Sequence, residues 1–165
     1  MADTIDVQYE IYPNGCLWLR YHLECELEML VLPEETLRKR ADGLWQSTCF
    51  ELFLRDPGDS GYLEFNLSPS YQWAAYRFRD YRDGMSEWMM PDPEIYCDMS
   101  DTHFALEATL SLPDLLNAPV DAACSAVIHE TGDVKSYWAV KHPQGKPDFH
   151  HKDCFALKLA PPVRL

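Results

Sequence analysis

The sequence has no long apolar run and few basic residues, and each absence excludes a class of protein. No stretch approaches the roughly 20 apolar residues that cross a bilayer as a helix. Only 14 Lys and Arg residues stand against 27 Asp and Glu residues in a chain of 165, so the formal net charge is -13. Because such a surface repels phosphate groups and anionic lipids, we expect neither nucleic acid nor a membrane as a partner.

The sequence also lacks the short motifs of several kinds of site. Its six cysteines include no Cys-x-x-Cys pair, so the commonest zinc and redox signatures are missing. None of its seven glycines lies in a phosphate-binding loop, and no Gly-x-Ser-x-Gly nucleophile elbow occurs. The first ten residues carry three carboxylates and no apolar run, so they do not predict a secretory signal. We therefore expect a cytoplasmic protein with free thiols.

What the sequence does contain is a series of short segments with the alternation of β-strands. Residues 5–12 and 16–23 flank Pro13-Asn14-Gly15, a tripeptide typical of hairpin turns. Three segments rich in aromatic residues follow, separated by turn residues, and they predict an antiparallel meander. These segments are residues 45–55, 62–68 and 71–78.

The second half of the chain continues the same pattern. It predicts a strand pair over residues 94–99 and 103–110, a hairpin over 122–130 and 135–141, and a closing strand over 154–159. About ten strands with at most one or two short helical turns predict an all-β fold. We expect a two-layer antiparallel β-sandwich of jelly-roll or immunoglobulin-like type, forming one domain over residues 1–165.

The densest set of candidate ligand-binding residues lies in and beside the predicted meander. Sugar recognition needs flat aromatic faces for C–H surfaces, and carboxylate, amide and guanidinium groups for hydroxyls. We expect one face of the meander to offer these groups, at Trp45, Glu51, Glu64, Asn66, Trp73 and Arg77. The competing interpretation is that the charged members form cross-strand ion pairs on a solvated sheet face.

Two neighbouring histidines, His150 and His151, form a second candidate site. Neutral imidazoles bind zinc or haem iron, although neighbours on one strand point to opposite faces. The competing interpretation is that both hydrogen-bond to the backbone and hold a loop. A third hypothesis makes Glu51 and Glu64 the acid and base of a carbohydrate-active enzyme, and exposed aromatic residues would also suit a protein-interaction module.

Four segments carry a resemblance to a known family. The segments GLWQSTCFELFL at 43–54, YLEFNLSP at 62–69 and QWAAY at 72–76, with the DFHH at 148–151, resemble bacterial DOMON-like domains. Those domains in turn look like family 9 carbohydrate-binding modules. The resemblance implies a β-sandwich whose relatives bind sugars or haem. It also implies sugar-site roles for Trp45 and Glu51, with Trp138 as the candidate for a second stacking tryptophan.

These observations together predict a non-catalytic β-sandwich that binds a small, sugar-like molecule. No cofactor is expected from this interpretation, whereas haem or a metal at His150 and His151 is the alternative.

Overall fold

The protein is a β-sandwich in which strands form two sheets, seen in a computed structural model that describes residues 1–161. The strands are β1 (Ala2–Ile11), β2 (Cys16–Cys25), β3 (Lys39–Arg40), β4 (Cys49–Arg55), β5 (Tyr62–Leu67), β6 (Gln72–Phe78), β7 (Ser86–Glu87), β8 (Glu94–Ser100), β9 (His103–Ser111), β10 (Val120–Glu130), β11 (Val134–Ala139) and β12 (Leu157–Leu159). Three 3-10 turns, Leu27–Met29, Leu44–Gln46 and Lys152–Cys154, complete the regular structure. No helix in this part of the chain is long and apolar enough to cross a membrane.

The two sheets differ in size. The smaller sheet has four antiparallel strands in the order β1-β2-β9-β8. The larger sheet has eight, in the order β11-β10-β4-β5-β6-β3, with β12 paired to β10 and β7 paired to β6. All pairings are antiparallel except that of the two-residue β3 with β6.

The structure confirms the predicted all-β, two-layer sandwich. Each predicted hairpin is present: β1 pairs with β2, β8 with β9, and β10 with β11. The predicted meander is β4, β5 and β6, which pair consecutively. The structure differs in having three 3-10 turns rather than one or two. The closing strand is also shorter than predicted, because residues 152–154 form one of these turns.

The main hydrophobic core lies between the sheets. Alternate residues of β2, such as Leu17, Leu19 and Leu23, project from the smaller sheet. Those of β4, such as Phe50 and Leu52, project from the larger one. Alternation at the period of two therefore assigns one face of each strand to this core.

The outer face of the larger sheet is also covered. Residues 140–156, which we call the covering segment, run between β11 and β12 and place Phe149 and Cys154 in a second, smaller core. That core includes Phe53 on β4 and Tyr76 on β6. Every residue of β5 is consequently buried, although its sequence alternates between apolar and polar side chains.

Gly15 shows how closely the first hairpin packs against the rest of the chain. Its φ of +80° lies in the left-handed region that favours glycine. A Cβ atom on Gly15 would lie 2.4 Å from the Cα of Pro113. The predicted Pro-Asn-Gly turn therefore needs glycine for its backbone conformation and also for the close approach of a second loop.

Candidate functional site

The covering segment does not fill the outer face of the larger sheet but leaves a cavity of about 450 Å³. This volume is in the range of small-molecule sites, roughly 300 to 1,000 Å³. The cavity, which we call the carboxyl cavity, is lined by Trp45, Glu51, Glu64, Tyr76, Phe78, Arg82, Met85, Val127, Tyr137, Pro147, Asp148, Phe149 and His150.

Strand register explains why two glutamates reach the same cavity. Glu51 on β4 lies opposite Asn66 on β5, and Phe53 lies opposite Glu64. Glu51 and Glu64 are therefore diagonal neighbours on adjacent strands, with both side chains on the outer face. Their residues are only 4% and 6% exposed, which is rare for glutamate.

Burial strongly disfavours the charged forms of these carboxyl groups. It raises the pKa of Glu51 to about 8, and the neighbouring charge of Glu64 adds to the shift. Burial also raises the pKa of Glu64, but a hydrogen bond from Asn66 and the charge of Arg82 oppose the shift. At neutral pH, Glu51 is therefore mainly protonated, and Glu64 ionises before it does.

Few protein groups satisfy the two carboxyl groups. The Ser125 hydroxyl donates to Oε2 of Glu51 across 3.4 Å, a long hydrogen bond. The Nδ2 of Asn66 donates to Oε1 of Glu64 across 2.8 Å. Within residues 1–161, the buried Oδ1 of Asn66 has no hydrogen-bond partner. Acceptor capacity thus remains on the two carboxyl groups that line the cavity and on the neighbouring Asn66.

His150 brings the covering segment to the cavity as a neutral side chain. Burial lowers its pKa to about 4, and the charge of Arg82 adds to this effect. Its Nδ1 lies 2.8 Å from the Tyr62 hydroxyl, whose oxygen also accepts a hydrogen bond from the Arg82 backbone N–H. Its Nε2 lies 3.7 Å from Oε2 of Glu64, too far for a good hydrogen bond.

Asp148 forms an ion pair with Arg82 in the cavity wall. The Arg82 guanidinium donates to Oδ1 of Asp148 across 2.7 Å, and the Tyr81 hydroxyl donates to Oδ2. Burial opposes ionisation of Asp148, but these hydrogen bonds outweigh it and lower the pKa. Arg82 is therefore already paired with a carboxylate of the wall.

Aromatic side chains form the rim of the cavity. Trp45 belongs to the 3-10 turn just before β4 and is 43% exposed. Tyr137 on β11 is 48% exposed. Half-exposed rings at the mouth of a polar cavity offer apolar faces to a ligand that enters it.

The structure brings together only some of the residues that the sequence predicted as ligand-binding. Trp45, Glu51 and Glu64 line the carboxyl cavity, and Asn66 is bonded to Glu64. Trp73 instead lies in the core between the sheets, and its Nε1 is buried without a hydrogen-bond partner in the described chain. Residues on β6 alternate, so Trp73 and Arg77 belong to the face opposite Tyr76.

Arg77 and Trp138 accordingly line other cavities. Arg77 lines one of about 390 Å³ near Arg55 and Leu115. Trp138 packs against the main core and lines one of about 310 Å³ beside Ile5 and Val7 of β1. The structure therefore does not place Trp138 where it could stack on a ligand bound between Trp45 and Glu51.

Several cavity residues were missed by the sequence interpretation. Tyr76 and Phe78 lie on the same face of β6 as Ala74, whereas the predicted face contains Trp73 and Arg77. Assigning the opposite face of β6 to the site would have identified both residues. Tyr137 is exposed on β11, and Arg82 and Asp148 lie in irregular segments. Their positions depend on long-range packing, and no local pattern indicates them.

The two candidate metal-binding histidines have different surroundings. His150 contacts Tyr62 and faces Glu64, whereas Nδ1 of His151 accepts a hydrogen bond from the backbone N–H of Asp153. Among the described residues, no group of three His, Cys, Asp or Glu side chains could hold a metal ion. All six cysteines are free.

Two solved structures share the fold of this chain. The chain shares its fold with a candidate carbohydrate-binding protein from Bacteroides uniformis ATCC 8492, at 11% identity and a TM-score of 0.59, over 92% of this chain and 77% of that one. The chain also shares its fold with a family 9 carbohydrate-binding module from Caldicellulosiruptor kristjanssonii in complex with glucose. That match has 10% identity and a TM-score of 0.56, over 99% of this chain and 80% of that one.

The similarity to these structures confirms the predicted likeness to family 9 carbohydrate-binding modules at the level of the fold. No family model matches the sequence, and no curated protein matches it.

Proposed function

We propose that the protein binds a small carbohydrate in the carboxyl cavity. The observation that carries the proposal is the pair of buried carboxyl groups, Glu51 and Glu64, in the same cavity as the half-exposed ring of Trp45. The cavity is closed on the sheet side and of small-molecule size, which suits a short ligand better than a polymer chain.

The chemistry of the cavity matches that of a sugar. A pyranose ring has an apolar C–H face that stacks on a flat aromatic ring such as Trp45. Its hydroxyl groups both donate and accept hydrogen bonds. The carboxyl oxygens of Glu64 accept from them, and a protonated Glu51 also donates. The glucose complex of a protein with the same fold supports this class of ligand.

Titration calorimetry with glucose and other hexoses tests the proposal on the wild type and two variants. Trp45→Ala removes the stacking face, so we expect at least a tenfold weaker affinity, about 1.4 kcal/mol. The thermal midpoint should change little, because Trp45 is half-exposed. Tyr96→Ala is the matched control, since Tyr96 is an exposed ring on β8 of the other sheet.

Two results would contradict this assignment. One is sugar binding that Trp45→Ala leaves unchanged and Tyr96→Ala abolishes, which would move the site to the smaller sheet. The other is the absence of binding at millimolar concentration of any sugar tested.

Glycoside hydrolysis is a second candidate function, favoured by one specific observation. Two carboxyl groups whose surroundings give them different pKa values are the usual acid and base of such enzymes. Release of nitrophenol from nitrophenyl glycosides by the wild type, lost in both Glu51→Gln and Glu64→Gln, would establish it. Binding of the nitrophenyl glycosides without release of nitrophenol would rule it out.

A further inference from the structure

The carboxyl cavity contains more acidic than basic side chains. Three carboxyl groups line it, those of Glu51, Glu64 and Asp148, against one permanent cation, Arg82. The Arg82 guanidinium is already paired with Asp148 at 2.7 Å, and its side chain is 52% exposed. Among residues 1–161, neither Glu51 nor Glu64 forms an ion pair with a lysine or an arginine.

The same two carboxyl groups also have spare acceptor capacity. In the described chain, Glu51 receives one long side-chain hydrogen bond, from Ser125, and Glu64 receives one, from Asn66. The Oδ1 of Asn66, which lies opposite Glu51 in the strand register, is buried and unpartnered there. The carboxyl groups of Glu51 and Glu64, which do line the cavity, therefore favour a ligand that brings several donors and a positive charge.

The titratable groups around Glu51 come from each element packed near it. Glu64 faces it from β5, and Tyr76 lies on β6. His150 and Asp148 belong to the covering segment, and Arg82 precedes β7. Ser125 donates a hydrogen bond to the Glu51 carboxyl group, Tyr21 donates one to its backbone carbonyl oxygen, and Cys49 lies two residues before it on β4. Only Arg82 is positively charged at neutral pH, because His150 is neutral there.

We infer that the carboxyl cavity selects an amino sugar, a polyhydroxylated primary amine of about monosaccharide size, whose ammonium group lies between Glu51 and Glu64. This inference rests on the proposed sugar-binding function and narrows its ligand. An ammonium group donates three hydrogen bonds and accepts none, which matches the Glu51 and Glu64 carboxyl groups once both are ionised. The overall charge of -13 also attracts cations to the surface.

Binding of an ammonium group changes the protonation of Glu51. A bound ammonium group stabilises the ionised form of Glu51, which is mainly protonated in the free protein at neutral pH. Binding therefore releases a proton, and the affinity for the amine rises with pH over the range in which the amine stays charged. A neutral sugar leaves Glu51 protonated and shows no such release.

Calorimetry with three ligands of the same ring tests the inference at pH 7. Glucosamine carries an ammonium group, glucose a hydroxyl and N-acetylglucosamine an amide at the same carbon. We expect glucosamine to bind at least tenfold more tightly than either analogue. Titrations in two buffers of different ionisation enthalpy should show proton release for glucosamine alone.

Variants identify the groups responsible. Glu51→Gln and Glu64→Gln should each reduce the glucosamine affinity to the level of glucose. Glu51→Gln should also abolish the proton release. Glu94→Gln is the matched control, because Glu94 is exposed on β8 of the smaller sheet and should change neither quantity.

Three other outcomes separate the amine preference from the proposed sugar-binding function. If glucose binds as tightly as glucosamine, the amine preference is overturned and the proposed sugar-binding function stands. If neither ligand binds at millimolar concentration, both are overturned. If putrescine, an amine without a sugar ring, binds as tightly as glucosamine, the cavity is a cation site and the amino-sugar assignment is wrong.

Discussion

Glu51 makes the stability of the protein depend on pH in a direction opposite to that of most carboxyl groups. Its pKa rises from an ordinary value of 4.5 to about 8 on folding, so the folded state holds the proton more tightly. The stability from this group is fully present below pH 4.5 and is lost as pH rises through 8. The total loss is on the order of 3 to 5 kcal/mol.

His150 contributes the opposite slope at lower pH. Its pKa falls from 6.5 to about 4, so its contribution is present above 6.5 and is lost as pH falls through 4. The two slopes cancel between about pH 4.5 and 6.5. From these two groups, we expect the free energy of unfolding to be nearly constant over that interval and to fall between 6.5 and 8.

Glu51→Gln isolates the contribution of Glu51 to the pH dependence of stability. We expect this isosteric variant to be similar to the wild type at pH 5 and more stable at pH 9, because it has no charge to bury. Denaturant unfolding at both pH values measures the difference, with Glu94→Gln as the exposed control. If the free energies of unfolding of the variant and the wild type differ by the same amount at both pH values, Glu51 has an ordinary pKa in the folded protein.

Site residues on β4 and β5 are predictable from the sequence, whereas those on β6 are not. Glu51, Glu64 and Asn66 were assigned to one face because apolar and polar residues alternate clearly on β4 and β5. On β6 the sequence Trp73-Ala74-Ala75-Tyr76 has no such alternation, and the aromatic residues fall on opposite faces. The correct face depends on which sheet lies opposite, a long-range property that the local sequence does not contain.

At the scale of elements, the hairpins were predictable because their turns have local chemistry. Pro13-Asn14-Gly15 and Thr131-Gly132-Asp133 both contain residues with positive φ at Gly15, Gly132 and Asp133. Such turns are determined by a few neighbouring residues. The covering segment was not predicted as a layer over the sheet, because its position depends on contacts with β4, β5 and β6.

Gly15 offers a test of how the first hairpin packs. We expect Gly15→Ala to destabilise the protein by about 2 to 4 kcal/mol, because the added Cβ would lie 2.4 Å from the Cα of Pro113. Gly58→Ala is the control: its φ is +84°, but nothing lies within 4 Å of its Cβ position. The control should lose only about 1 kcal/mol, the cost of the left-handed conformation. Equal losses in denaturant unfolding would show that Pro113 does not crowd Gly15.

At the scale of the whole molecule, the fold is best described as a sandwich whose larger sheet is covered on both faces. The smaller sheet covers one face, and the covering segment covers part of the other. This arrangement explains how glutamates on a sheet face become almost fully buried. It also explains why the cavity is lined by strands on one side and by irregular chain on the other.

The measurement that tests the central claim most directly is a crystal structure of the protein soaked with glucosamine and, separately, with glucose. We expect electron density for a sugar ring in the carboxyl cavity, stacked on Trp45 and within hydrogen-bond distance of Glu51 or Glu64. Density in the cavities beside Arg77 or Trp138, or on the outer face of the smaller sheet, with the carboxyl cavity empty, would contradict it.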